Sequence, residues 1–286
     1  EAMKAPWATE QHPEIAQWIE ANQHALTATA NAVQRTEYYI PAVTPDDAEF
    51  PVVNMSIPAV QAYVSMSNAL CARAMLKLNS NDTSGAWADA MTAKRLARHI
   101  ARGYSLVEGL VALRCEDIAC NLTDAIAGSG KLTETQAKAC LDDLQQLGPL
   151  RDIADMIDHS ERFMVLDSIL KTASTTKLPG WDKVLIKANS YYDSLTIAFR
   201  KNTFKVRIEA LEDHRRLGEE LTQNIPRSFI DMVWKSTTDP AGLTGDLLFT
   251  VLLPTVSRSM TLRDRTTAQG DLSTIAMALA AYNAEK

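Results

Sequence analysis

The chain has 286 residues, of which 46% are hydrophobic, 22% charged and only 6% aromatic, with 11 Gly, 11 Pro and a formal net charge of −6. That balance excludes a disordered chain, a collagen-like repeat and a disulfide-dense miniprotein, and it argues against an all-β sandwich or barrel, which needs more turn-forming and β-branched residues. Net acidity gives no global attraction to nucleic acid or anionic lipid, and no apolar run reaches the ~18 residues a membrane-spanning helix needs.

Apolar residues recur at three- and four-residue steps almost throughout, which predicts helices. A first helix starts near Pro13, with Ile15, Trp18, Ile19, Asn22, Leu26 and Val33 on one stripe. An irregular segment over 37–57, containing Pro41, Pro45 and Pro51, is long for a loop and reads as a functional or packing strap. Ser56 or Ile57 opens a second helix carrying Val60, Val64, Cys71 and Met75, which Asn79-Ser80-Asn81-Asp82 breaks. The third carries Trp87, Ala90, Leu96, Ala97 and Ile100.

Ser105–Glu108 is a capping box opening a fourth helix that closes at Gly128, and Thr133–Gln136 is a second box opening a fifth that closes at Gly148. A sixth covers 151–171 and ends in a Thr/Ser-rich loop reaching Pro179-Gly180. Further helices are expected over 182–200, 204–224, 227–236 and 243–252, and a last one from 255 to the end with a break at Gly270. The architecture expected is therefore all-α, about ten helices in stacked antiparallel hairpins. It forms a single domain over 1–286, with 172–180 as the place where it would divide. The second and third helices, with Gly85-Ala86-Trp87-Ala88-Asp89 after the turn, look like one tetratricopeptide unit, although no 34-residue period continues around them.

Few constellations carry chemistry. Ala127–Thr133 resembles a phosphate loop, but the first glycine of that pattern falls on Ala125 and Leu132 follows the lysine; a helix stop followed by a helix start explains it. Cys71, Cys115, Cys120 and Cys140 have neither CxxC nor zinc spacing and read as small buried hydrophobes. On the third helix Arg95, Arg98 and Arg102 share a narrow arc, flanked by Lys94 and His99 and extended by Trp87 and Met91. The plainer reading is a solvated face paired with carboxylates from neighbouring helices; the functional one is an exposed Trp beside guanidinium groups that stacks on a base or sugar or anchors a protein interface.

On the fourth helix Arg114, Asp117 and Asn121 project from an apolar arc, which requires them to be paired if buried: either a structural ion pair or a polar ligand pocket. On the sixth, Asp155 and His159 at i, i+4 are spaced for an acid–base pair or a metal, beside Asp152, Asp158 and Arg162, although acidic residues in a first helical turn also simply favour the helix dipole. The run Glu209–Arg216 reads as a solvated helix face. No nucleophile elbow, HExxH or dinucleotide-binding fingerprint is present.

Gly180-Trp181-Asp182-Lys183-Val184-Leu185 through Asn189-Ser190-Tyr191-Tyr192-Asp193 resembles a block found in large membrane-anchored proteins common in planctomycete bacteria. Leu252-Leu253-Pro254, Asp264-Arg265 and Ala278-Leu279-Ala280-Ala281-Tyr282 are similar to a second block, and Trp18–Asn22, Tyr39-Ile40-Pro41 and Gly85–Asp89 fit the same pattern. The resemblance implies an extracytoplasmic helical domain, with a membrane anchor before it and a pseudopilin-like segment after it. It brings no activity.

These readings converge on a non-catalytic protein-interaction or scaffold domain, docking a protein through Trp87, Arg95, Arg98 and Arg102. No metal, cofactor or nucleic acid is expected, and a membrane is reached only through a segment outside this chain. The alternative is a small-ligand-binding protein or hydrolase-type enzyme with a polar site between helices, built from Arg114 and Asp117 or from Asp155 and His159.

Overall fold

A computed structural model describes residues 2–41, 43–46, 52, 55–176, 180–223, 239 and 256–286. The helices expected over 227–236 and 243–252, and Leu252-Leu253-Pro254, lie outside these residues. Within them the fold is all-helical, and the one β contact is an isolated antiparallel bridge between Val43 and Ser56.

The first predicted helix is two, α1 (Pro13–Ala21) and α2 (Gln23–Ala32). Asn22 separates them: its Nδ2 donates to Trp18 O at 2.8 Å, an alternative that a short amide side chain offers against continued helix. The next helix, α3 (Val60–Asn79), starts later than Ser56 or Ile57. Ile57 precedes Pro58, which disfavours helical backbone there, and Ser56 is engaged by Val43. Asn81 takes a positive φ in the turn, and Asp82 caps α4 (Thr83–Ile100) by accepting the Gly85 N–H at 2.8 Å.

Both capping boxes form. They open α5 (Leu106–Ala127) and α6 (Glu134–Gln146), and Gly148 takes the positive φ that ends the latter. In the intervening turn Lys131 Nζ donates to Leu78 O at 2.8 Å, so the lysine of the phosphate-loop look-alike ties down the carbonyl end of α3. The predicted sixth helix starts as α7 (Ile153–Met156), widens through a π turn (Ile157–Glu161) and continues as α8 (Arg162–Thr176). Then follow α9 (Trp181–Phe199), α10 (Phe204–Gln223) and α11 (Val256–Glu285), which passes through Gly270 without a break.

The chain doubles back at the turn after α3. Arg73 meets Asp89 while the later Lys77 meets the earlier Gly85, so α3 and α4 are antiparallel. In the same way Asp124 meets Gln269 and the earlier Cys120 meets the later Ser273, which sets α11 antiparallel to α5. Close packing of α3, α4 and α5 rests on small side chains: Ala69, Ala74, Ala86, Ala90, Ala93, Ala97, Ala112 and Ala119 are buried. Gly109 serves the same end on α5, since a Cβ there would lie 2.4 Å from Met156 Sδ.

Two large apolar clusters result. One gathers Leu70, Met75, Leu78, Trp87, Leu122 and Ile126; the other gathers Ile153, Met156, Ile157, Trp181, Tyr192 and Phe199. Helix α11 reaches both, with Met260 in the second and Met277 in the first. No helix among the described residues is long and apolar enough to cross a membrane.

Candidate functional site

The basic face of α4 is turned inward, against the expectation of an exposed docking surface. Trp87 is only 8% exposed, sits in the first apolar cluster, and donates its Nε1–H to Asp143 Oδ2 at 2.8 Å. Arg98 spends its Nε on Gly148 O and its Nη1 on Lys94 O and Glu116 Oε2. Arg102 is exposed but donates to Thr36 O, fastening the segment after α2. Arg95 is half-buried and makes no hydrogen bond or ion pair among the described residues. The reason is density of packing: α4 has α3 on one side, α5 on the other and the α6 end across it, leaving little perimeter free for a Trp–Arg surface.

On α5 the expectation is displaced by a few residues. Arg114 and Asp117 pair at 2.7 Å, but the Arg114 side chain is well exposed and Asn121 is exposed too, so this is a surface ion pair and no interior pocket. The carboxylate that α5 does bury is Glu116, which sequence reasoning passed over. Its Oε1 accepts from Lys94 Nζ at 2.9 Å and its Oε2 from Arg98 Nη1 at 2.8 Å, with side-chain exposures of 5% for Glu116, 3% for Lys94 and 19% for Arg98. Burial pushes the Glu116 carboxyl up, but the adjacent Lys94 and Arg98 charges outweigh it and hold the group below its ordinary range. A second buried cluster ties α3 to α4, where Asp89 accepts from Arg73 at 2.6 Å and from Lys77 at 2.8 Å.

The Asp155 and His159 side chains do not form a dyad. His159 is exposed and its Nδ1 faces the backbone oxygen of Asp155 at 2.7 Å, while the Asp155 carboxylate accepts from Arg200. Here the π turn alters the phase of the two residues from the plain i, i+4 relation the sequence suggests. Arg162 joins Asp158 and Asp193, binding α8 to α9. Among the described residues, no group of three or more His, Cys, Asp or Glu is placed to hold a metal ion. All four cysteines are free and buried, and burial pushes the Cys71 and Cys140 thiols up to about 12 and those of Cys115 and Cys120 to about 11.

The exposed feature that sequence reasoning missed lies on α11. Its inner face, with Thr266, Ser273, Met277 and Ala281 buried, packs on α5 and α6. The opposite face carries Leu272, Ile275, Leu279 and Tyr282, which are 58%, 55%, 57% and 53% exposed. Their 3–4–3 spacing makes one continuous apolar seam about half a turn away from the buried one. Comparison with family models, with curated proteins and with solved structures finds no match to this chain.

Proposed function

We propose that this chain is a helical protein-interaction and scaffold domain that self-associates through the outer seam of α11. The observation that carries the reading is the seam itself: four large apolar side chains, each more than half exposed, at heptad spacing along one helix. A contiguous apolar patch in water marks an interaction surface, and alternating three- and four-residue steps form the holes that a partner helix's side chains fill. Ala276 and Ala278 flank the seam and allow close approach.

The occupant is α11 of a second copy. Laid antiparallel about a two-fold axis near residue 277, Leu272 faces Tyr282 of the other copy and Ile275 faces Leu279. The same register sets Asp271 opposite the Asn283 amide, a polar pair at the rim. Because α11 is already held on α5 and α6, pairing does not bear the cost of ordering a free helix. The α3–α4 hairpin supports a scaffold role through its likeness to a tetratricopeptide unit, and the sequence resemblance supports a place in a membrane-associated, extracytoplasmic bacterial protein.

Sedimentation equilibrium tests the self-association. The unmodified chain is expected as a dimer and the Ile275→Glu/Leu279→Glu variant as a monomer with unchanged far-ultraviolet circular dichroism. A monomeric unmodified chain, or a variant that still dimerises, overturns the reading.

A further inference from the structure

Between α4, α5, the α6–α7 connection and α11 lies a cavity of about 530 Å³, within the size range of small-molecule sites. Its inner wall holds Lys94, Arg98 and Glu116, and α11 contributes Thr266 and Gly270 on the other side.

Three features distinguish it from an ordinary packing gap. First, two cations share one carboxylate, with Lys94 and Glu116 shielded from water and Arg98 at 19% side-chain exposure, and the nearby Cys120 thiol, which accepts from Lys94 Nζ at 3.3 Å and has its pKa pushed up to about 11, adds no negative charge. Buried charge is stable only when balanced, so this cluster is one negative charge short.

Second, donors remain. Glu116 and Cys120 use two of the three Lys94 ammonium hydrogens, and Arg98 Nη2 has no partner among the described residues. Thr266 Oγ1 is fully shielded from solvent and has no hydrogen-bond partner, although Thr266 lines this cavity. Buried hydroxyls are ordinarily satisfied.

Third, Gly270 stands in mid-helix where a Cβ would meet nothing within 4 Å, so the α11 wall is open at that point. The remaining charges of the lining do not supply the missing anion. Asp152 is held by Arg263 at 2.6 Å, Arg151 turns to Asp155 at 3.7 Å, and Asp271 is exposed at the rim.

We infer that this cavity binds a small organic anion, whose carboxylate or phosphate group accepts hydrogen bonds from Arg98 and Lys94. The site lies on a different part of α11 from the outer apolar seam, and Asp271 stands at the edge of both.

Isothermal titration calorimetry with glutarate and with inorganic phosphate tests it and separates the two oxyanions. One saturable site per chain is expected for at least one probe. Gly270→Leu, which fills the cavity while leaving the ion cluster untouched, is expected to weaken that binding at least tenfold, and Arg98→Gln to do the same. Circular dichroism and thermal melting establish that each variant is folded, and Gly270→Leu decides the matter if Arg98→Gln is not. Absence of binding by both probes, or binding that Gly270→Leu leaves unchanged, overturns the proposal.

Discussion

Replacing Glu116 by Gln keeps the volume of the side chain and removes the charge that Lys94 and Arg98 share. With Lys94 at 3% and Glu116 at 5% side-chain exposure, water does not compensate for the lost partner. Breaking a buried pair on one side costs about 3–5 kcal/mol. At roughly 2–4 °C per kcal/mol for a large domain, that is a fall in melting temperature of about 6–20 °C.

The dependence on pH follows from the depressed pKa. A carboxyl held lower in the folded than in the unfolded chain contributes stability that is present above the unfolded value and lost as pH falls through the folded one. The deficit of Glu116→Gln is therefore full above pH 4.5 and narrows below it. Differential scanning calorimetry of the single variants Glu116→Gln and Lys94→Met and of the double variant isolates the pair. The double variant should be more stable than the sum of the single losses by about 1 kcal/mol or more. Strictly additive losses, or a deficit independent of pH, would refute an ion-pair account of this cluster.

Gly270→Ala should raise stability by about 0.5–1 kcal/mol, because the residue is helical and its Cβ meets nothing, and denaturant unfolding would show a higher midpoint at unchanged slope. The Glu161 carboxyl is raised by burial, with the Leu106 N–H acting against it, so folding favours its protonated form and the chain loses stability as pH rises through the folded value. The melting temperature of Glu161→Gln relative to the unmodified chain should thus grow as pH rises above the ordinary carboxyl value of 4.5, and a constant difference would contradict this. With thiols raised to about 11 and 12, the native chain should leave all four cysteines unreactive towards a chromogenic thiol reagent near pH ~8, and all four should react at once in denaturant.

Local chemistry was legible in the sequence wherever it acts within a few residues. The capping boxes at Ser105 and Thr133, the stop at Gly148 and the break after Asn79 all operate through their own neighbours, and the structure places them as expected. The burial of charged residues was less legible because it depends on helices distant in sequence. Glu116 has Ala112 and Leu113 before it and Ala119 and Cys120 after it, at the spacings that share its face, and that was a readable signal of burial. Arg114 and Asp117 drew attention through their pairing, which the surface satisfies equally well. Trp87 was misplaced for a related reason: a large aromatic beside arginines fits an exposed anchor as well as it fits a core residue whose indole N–H reaches Asp143, and only the approach of α6 decides between them. The α11 seam escaped notice because that helix is apolar on two opposite sides, so neither stands out in a single average.

The antiparallel seating of α11 also bears on how the polypeptide matures as it is made. Ser273 bonds Cys120, Gln269 bonds Asp124 and Arg263 bonds Asp152, across separations of 153, 145 and 111 residues. At about 5–20 residues per second of synthesis, Cys120 waits about 8–30 s for its partner. During that interval the faces of α5 and α6 that α11 covers stay bare, and the first apolar cluster lacks Met277 and Ala281. A ribosome stalled before residue 256 would hold a chain whose two apolar clusters both lack their last contributor, a natural client for a holding chaperone.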